Sequence, residues 1–266
     1  MKKLFIVITS LTVAVVIIAL AIKSEATKPK LRQKHVETVQ QKYEALLKRL
    51  STDTVCPNIS PVHIFMQEEG DQPRLCATGG QFILDKTILT CAHAFWKFTG
   101  QEKKPCRYYY QILQPYEIKL HPIESIRQLT DAPTEGVNWS KDMVTCTPGK
   151  SQLIAPIPPP RQEDRLNGAQ SFTNYSVLKE KLPVRSTVTG ETRNIIGGLK
   201  VSSGTEYFVL DYESFPSQSG TLFTSEDHKV LYVLSASMNT NPQMINKFHL
   251  DPSCKGLTLC SAVSVN

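Results

Sequence analysis

The chain has 266 residues, 41% hydrophobic and 20% charged. This balance excludes a disordered, collagen-like or purely coiled-coil chain and a protein of many membrane spans, and the length allows one large domain or two small ones. The net charge of +6 is uneven: residues 1–50 hold 10 basic and 3 acidic side chains, and the rest of the chain holds 20 and 21. A nucleic-acid binder carries its positive excess on the folded body, where it tracks phosphates, so no nucleic-acid partner is expected here.

Met1-Lys2-Lys3 leads into an apolar run from Leu4 to Ile22, whose polar members are Thr9, Ser10 and Thr12. Nineteen such residues can cross a bilayer, which predicts an uncleaved membrane anchor or, given the small residues around Ser24 to Ala26, a cleaved signal peptide. Either way the body is expected outside the cytoplasm, membrane-anchored or secreted. Lys23, Lys28, Lys30, Arg32 and Lys34 outnumber Lys2 and Lys3, and the positive-inside tendency pulls the opposite way, leaving the orientation open. Val36, Val39, Tyr43, Leu46 and Leu50 recur at alternating steps of three and four, predicting a short amphipathic stalk helix that packs on the body or pairs two chains into a homodimer.

From about residue 55 onward, short apolar and β-branched runs alternate with Gly, Pro, Asn and Asp, which predicts an all-β body. The expected strands include Gln81 to Leu84 against Thr87 to Thr90 across Asp85-Lys86, then Tyr108 to Leu113, Glu117 to Leu120, Val184 to Val188, Tyr207 to Leu210 and Val230 to Leu234. Proline cannot donate to a strand ladder, so Pro156 to Pro160 reads as a connector between halves of roughly 100 residues, each of a size to close into a small barrel. The predicted organisation is an anchor or signal over 1–26, a stalk over 27–52, a first barrel over 53–155, a connector over 156–161 and a second barrel over 162–266.

Seven cysteines make an odd number, so an exported body leaves at least one thiol free or paired between chains. Cys254 and Cys260 flank a short segment with Gly256, which makes a local disulfide plausible, whereas Cys91 reads as a small core residue. Cys91 and His93 lie close together, but no Cys-x-x-Cys pair accompanies them, and no metal site is expected.

Three stretches carry the candidate chemistry: Thr87-Ile88-Leu89-Thr90-Cys91-Ala92-His93, Asp142-Met143-Val144 and Pro216-Ser217-Gln218-Ser219-Gly220. A serine hydroxyl is a poor nucleophile at neutral pH and needs a base titrating near 7, which an imidazole supplies. The imidazolium then formed needs a buried carboxylate to hold one tautomer and stabilise the charge. His93, Asp142 and Ser219 fit these roles. Asp131 competes with Asp142 but precedes a loop pattern, whereas Asp142 precedes residues able to enter a strand.

These stretches, in the order His, Asp, Ser, resemble the signatures of the chymotrypsin-like serine peptidases, and Leu120-His121-Pro122 and Leu153 to Pro160 are similar to further segments of that family. Tyr212 to Gly220 resembles its glutamyl-endopeptidase-like branch. The resemblance implies two six-stranded antiparallel barrels with the site in the cleft between them, a peptide or protein substrate, no cofactor, and an oxyanion hole built from the backbone amides of Ser217 and Ser219. It maps Glu213 to the base of the primary pocket, where a carboxylate favours Lys or Arg, and Ser235 and Ser237 to the strand that pairs with substrate. Ser217 stands where the family has Gly, so a left-handed backbone there carries a cost or the peptide turns away. Gln218 replaces the aspartate that binds a freed N-terminus in trypsins, so activation by trimming is not expected. The competing expectation is an inactive peptidase fold acting as a membrane-anchored binding or scaffold module.

Overall fold

The computed structural model describes residues 55–96, 104–130, 140–157, 175–200, 206–214 and 217–264. The apolar segment 4–22, the stalk helix and Asp131 lie outside the described residues. Among the described residues no helix is long and apolar enough to cross a membrane.

Six strands form a first closed barrel: β1 Ile59–Gln67, β2 Arg74–Phe82, β3 Ile88–Thr90, β4 Arg107–Ile112, β5 His121–Thr130 and β6 Ser140–Pro148. They run in the order β1-β2-β3-β6-β5-β4, and antiparallel pairing of β1 with β4 closes the ring. Six more make a second ring: β7 Tyr175–Ser186, β8 Thr192–Lys200, β9 Glu206–Leu210, β10 Leu222–Ser225, β11 Val230–Asn239 and β12 Gly256–Ser264. Their order is β10-β11-β12-β9-β8-β7, closed by β10 on β7. Closure leaves neither ring with a free edge along its full length, which is how small all-β units avoid edge-to-edge association. Two such barrels in tandem fit the chymotrypsin-like architecture.

One short helix, α1 Pro242–Phe248, follows β11. Asn241 caps it by accepting from the Met244 amide, and the helix starts on Pro242, where a missing N–H costs nothing. Met244 and Phe248 then face inward beside Tyr175, Leu199 and Leu257.

The alternation that marks the strands also builds the core. Val62, Ile64, Ala77, Ile88, Ile123, Val144 and Cys146 form the core of the first barrel, and Leu89 together with Leu222, Leu231 and Val233 of the second ring belongs to the same buried cluster. Each Leu- or Phe-sized side chain so buried stabilises by about 1.5–3 kcal/mol. Gly80 marks where the rings touch: a Cβ there would fall 2.5 Å from both Ile59 Cγ2 and Leu222 Cδ1.

The hairpin expected around Asp85-Lys86 is present, with Gly79, Gly80 and Gln81 opposite Thr90, Leu89 and Ile88. Its turn is wider than expected. Ile83 and Leu84 leave the strand and are exposed, because Lys86 adopts a left-handed backbone and Phe82 closes the turn on Thr87. Glu117 to Leu120 is not a strand. The Glu117 amide bonds back to Ile112 O and the Gln111 side chain holds Glu117 O, folding this piece into a turn, and the ladder resumes at His121. Within Ala155 to Ile157, Ile157 bridges to Trp96 with its amide on Phe95 O and packs against the first core, and 158–161 lies outside the described residues.

All seven cysteines are free thiols. The local disulfide considered for Cys254 and Cys260 is absent because their side chains serve different clusters: Cys260 is buried with Phe223 and Tyr232, and Cys254 packs beside Met244 and Phe248. Burial alone pushes the Cys260 thiol far above its ordinary range.

Candidate active site

β3 is buried at all three residues, and the chain then leaves the barrel through a single 3₁₀ turn, His93–Phe95. The turn splits its residues by chemistry: Phe95 is buried against Tyr108, with ring centroids 4.9 Å apart, while the His93 ring stays partly open to solvent. Asp142, on neighbouring β6 and 5% exposed, binds the start of this turn. Its Oδ1 accepts the amides of Ala92 at 3.0 Å and His93 at 2.8 Å, and its Oδ2 meets His93 Nδ1 at 2.7 Å. One carboxylate therefore satisfies two otherwise orphaned N–H groups and orients the imidazole. With Asp142 ionised, Nδ1 carries a proton directed at the carboxylate, which leaves Nε2 as the nitrogen that can take up or release one.

Cys91 Sγ lies 3.8 Å from that Nε2. Burial of the ring opposes its charge, but the Cys91 sulfur and the Asp142 carboxylate together favour it more strongly, and His93 titrates well above the ordinary histidine range. Trp96 stands edge-on to the ring at 6.1 Å.

The segment carrying Ser219 is fastened to the strand end that carries His93. Thr78 on β2 donates its amide to Ser219 O at 2.8 Å and its hydroxyl to Ser217 O at 3.0 Å. Thr90 in turn donates its hydroxyl to Thr78 O at 2.6 Å. Gly220 has φ +83°, and a Cβ there would fall 2.1 Å from Thr78 O, 2.2 Å from Thr90 Oγ1 and 3.0 Å from the Cys91 amide. Only glycine permits so close an approach in that conformation. On the other side, the Gly220 amide donates to Leu234 O and the Leu234 amide to Thr221 O.

Ser217 has φ +75°, so the residue standing where the resembled family has glycine adopts the left-handed backbone that glycine favours. Glu213 is exposed and lies against the first residue of β12, since a Cβ on Gly256 would come 3.3 Å from Glu213 Cγ. Ser235 is buried, its hydroxyl 3.3 Å from that of Ser261. Ser237 is exposed and pairs with Thr258. Among the described residues, β10 pairs with β11 only at Leu231 to Val233, while Ala236 to Asn239 pair with β12 on the other side and Ser235 sits at the register shift between Leu234 and Ala236.

Sequence reasoning overlooked three contributors: Thr78 and Thr90, which hold the Ser219 segment, and Cys91, which sits beside the imidazole. Thr78 lies before the strand expected over Gln81 to Leu84 and Thr90 ends the one expected over Thr87 to Thr90, and nothing local to either gave a sign of a second barrel for them to bond. Cys91 had a signal, its spacing of two from His93, which was weighed only for metal. Among the described residues no group of three or more His, Cys, Asp and Glu side chains is arranged to hold a metal ion.

No protein-family model matches the chain, and no curated protein matches it. Similar solved structures include one described as "Structure of GrC", 11% identical, covering 79% of this chain and 92% of its own, with a TM-score of 0.35. A likeness that slight decides neither fold nor chemistry, which rest on the strand pairing and side-chain geometry above.

Proposed function

We propose that the chain is a serine endopeptidase, with Ser219 as nucleophile, His93 as general base and Asp142 as the carboxylate that orients and stabilises the imidazole. The observation that carries this reading is the three-point hold of Asp142 on the His93 turn, beside a glycine contact that presses the Ser219 segment onto Cys91. Ser219 attacks the substrate carbonyl as its proton passes to His93 Nε2. The tetrahedral oxyanion is received by the amides of Ser217 and Ser219, and collapse expels the amine, which takes the proton from His93. Water then repeats the sequence on the acyl-enzyme. An oxyanion donor is worth about 3 kcal/mol in such a step.

The substrate chain adds as a strand along Ser235 to Asn239, with Ser235 and Ser237 contributing main-chain groups. Glu213 beside Gly256 favours a Lys or Arg side chain by charge pairing. Closeness to the glutamyl-endopeptidase-like branch rests on the wording of residues 212–220 alone. Residues 4–22 tether or export the body, and the stalk is the candidate homodimer seam.

Incubation with a peptide library and sequencing of the products tests this. Cleavage after Lys or Arg that disappears in Ser219→Ala is expected, and intact peptides from well-folded wild type would refute it. The second reading, an inactive scaffold, draws on two observations: the left-handed Ser217 and the Cys91 thiol facing the nitrogen that the serine must reach. Intact peptides would favour it.

A further inference from the structure

We infer that Tyr212 is a positioning residue that fastens the nucleophile segment by accepting a hydrogen bond from Gln218, so that the segment is assembled without any cut in the chain. The inference rests on the peptidase reading above and names what regulates that site.

Gln218 immediately precedes the proposed nucleophile and is 3% exposed. A buried carboxamide needs partners for its N–H groups, and an unmet donor there would drive the peptide to rearrange. Gln218 Nε2 reaches the Tyr212 hydroxyl at 2.7 Å, the shorter end of the range for such a bond. Tyr212 is itself held at several points. Its carbonyl accepts the Thr258 hydroxyl at 2.6 Å, its amide donates to Leu210 O, its ring packs edge-on against Phe223 at 5.7 Å, and the guanidinium of Arg193, a β8 residue, lies 5.4 Å from the ring centre. Tyr212 is therefore tied to β8, β10 and β12 together, and the bond to Gln218 transfers that rigidity to the segment.

The bond has a specific task. Ser217 is held in a backbone conformation unfavourable for a side chain, and the segment around it is fixed: Thr78 takes the Ser217 and Ser219 carbonyls, and Gln218 is taken by Tyr212. Without the Tyr212 bond, rotation of the peptide that carries the Ser217 N–H relieves the positive φ and turns that proposed oxyanion amide away. Gln218 is neutral, so it does not call for a newly freed, charged N-terminus as its partner. Tyr212 supplies the partner from within the same ring.

The test compares the intact full-length wild type with Tyr212→Phe, Gln218→Leu and Gln218→Glu, well below their unfolding temperatures. Inactivation by a fluorophosphonate probe is resolved into a binding constant and a maximal rate, and amide hydrogen exchange is followed across residues 217–221. Tyr212→Phe and Gln218→Leu should lower the maximal rate at least tenfold with the binding constant unchanged and speed exchange of the segment. Gln218→Glu, whose carboxylate can accept from the Tyr212 hydroxyl, should retain most of the rate. Rates and exchange unchanged in Tyr212→Phe would overturn the inference, as would equal loss in Gln218→Leu and Gln218→Glu. If wild type is not labelled, the peptidase reading fails separately. Faster exchange in Tyr212→Phe would then still support the fastening, and unchanged exchange would overturn it.

Discussion

Lowering the pH from 7 toward 4 should weaken the fold through His63, a β1 residue with no exposed surface that lies opposite Thr78 and Gln111 in the first barrel. Burial depresses its pKa from the ordinary 6.5 to about 4. The folded state therefore keeps the ring neutral through a range in which the unfolded chain binds a proton. A group with a depressed folded pKa makes the unfolded state the better proton acceptor, so stability falls as pH drops from 6.5 and the loss levels off near 4. At about 1.4 kcal/mol per pH unit, the full loss comes to about 3 kcal/mol, a large part of the roughly 5–15 kcal/mol typical of a domain. The assay is urea unfolding of wild type and His63→Leu at closely spaced pH values. The leucine variant should lose that part of the slope between pH 6.5 and 4 while other groups keep theirs. Identical slopes in the two proteins would refute the argument, whatever their absolute stabilities.

Four further outcomes are expected. Against the effect of burial, Cys91 and Asp142 raise the His93 pKa well above its ordinary 6.5, so probe labelling, which needs the neutral base that accepts the Ser219 proton, should rise with pH through a midpoint above 6.5. Asp142→Asn places a donor against Nδ1–H and should cut labelling by a factor on the order of 10³–10⁴ with the fold retained, as read by labelling kinetics beside circular dichroism. Gly220→Ala forces a Cβ within 2.2 Å of two oxygens at φ +83° and should destabilise by about 3 kcal/mol or more in thermal unfolding. Ser217→Gly removes a left-handed side chain and should raise the unfolding midpoint by an amount equivalent to about 1 kcal/mol, with labelling unchanged or faster.

Much of the body was legible in the sequence because strands announce themselves through alternation and Gly- or Pro-bearing turns, as at Tyr207 to Leu210 and Val230 to Leu234. Period-two patterning says less about where a strand stops. Ile83 and Leu84 look like strand residues and sit in the turn, and Glu117 to Leu120 looks like a strand but is folded back by the Gln111 side chain. β5 was missed because Pro122 near its start and its polar Glu124, Arg127 and Gln128 mask the pattern. The His93 and Asp142 pair was legible from motif and order, since β3 and β6 are neighbours in the barrel. The hold on the Ser219 segment was not, because Thr78 and Tyr212 reach it through contacts 139 and 6 residues apart in the chain, and neither carries a local signature. Cysteine arithmetic pointed toward disulfides, but the side-chain directions set by β12 send Cys260 to another cluster than that of Cys254.

Mapping a fluorophosphonate adduct by peptide mass spectrometry would bear on whether the serine, the imidazole and the carboxylate work as one unit. The account predicts a single phosphonylated residue, Ser219, whose modification vanishes in His93→Ala and is saved by no other serine. A folded protein that takes up no probe, or takes it up equally with and without the imidazole, would contradict it.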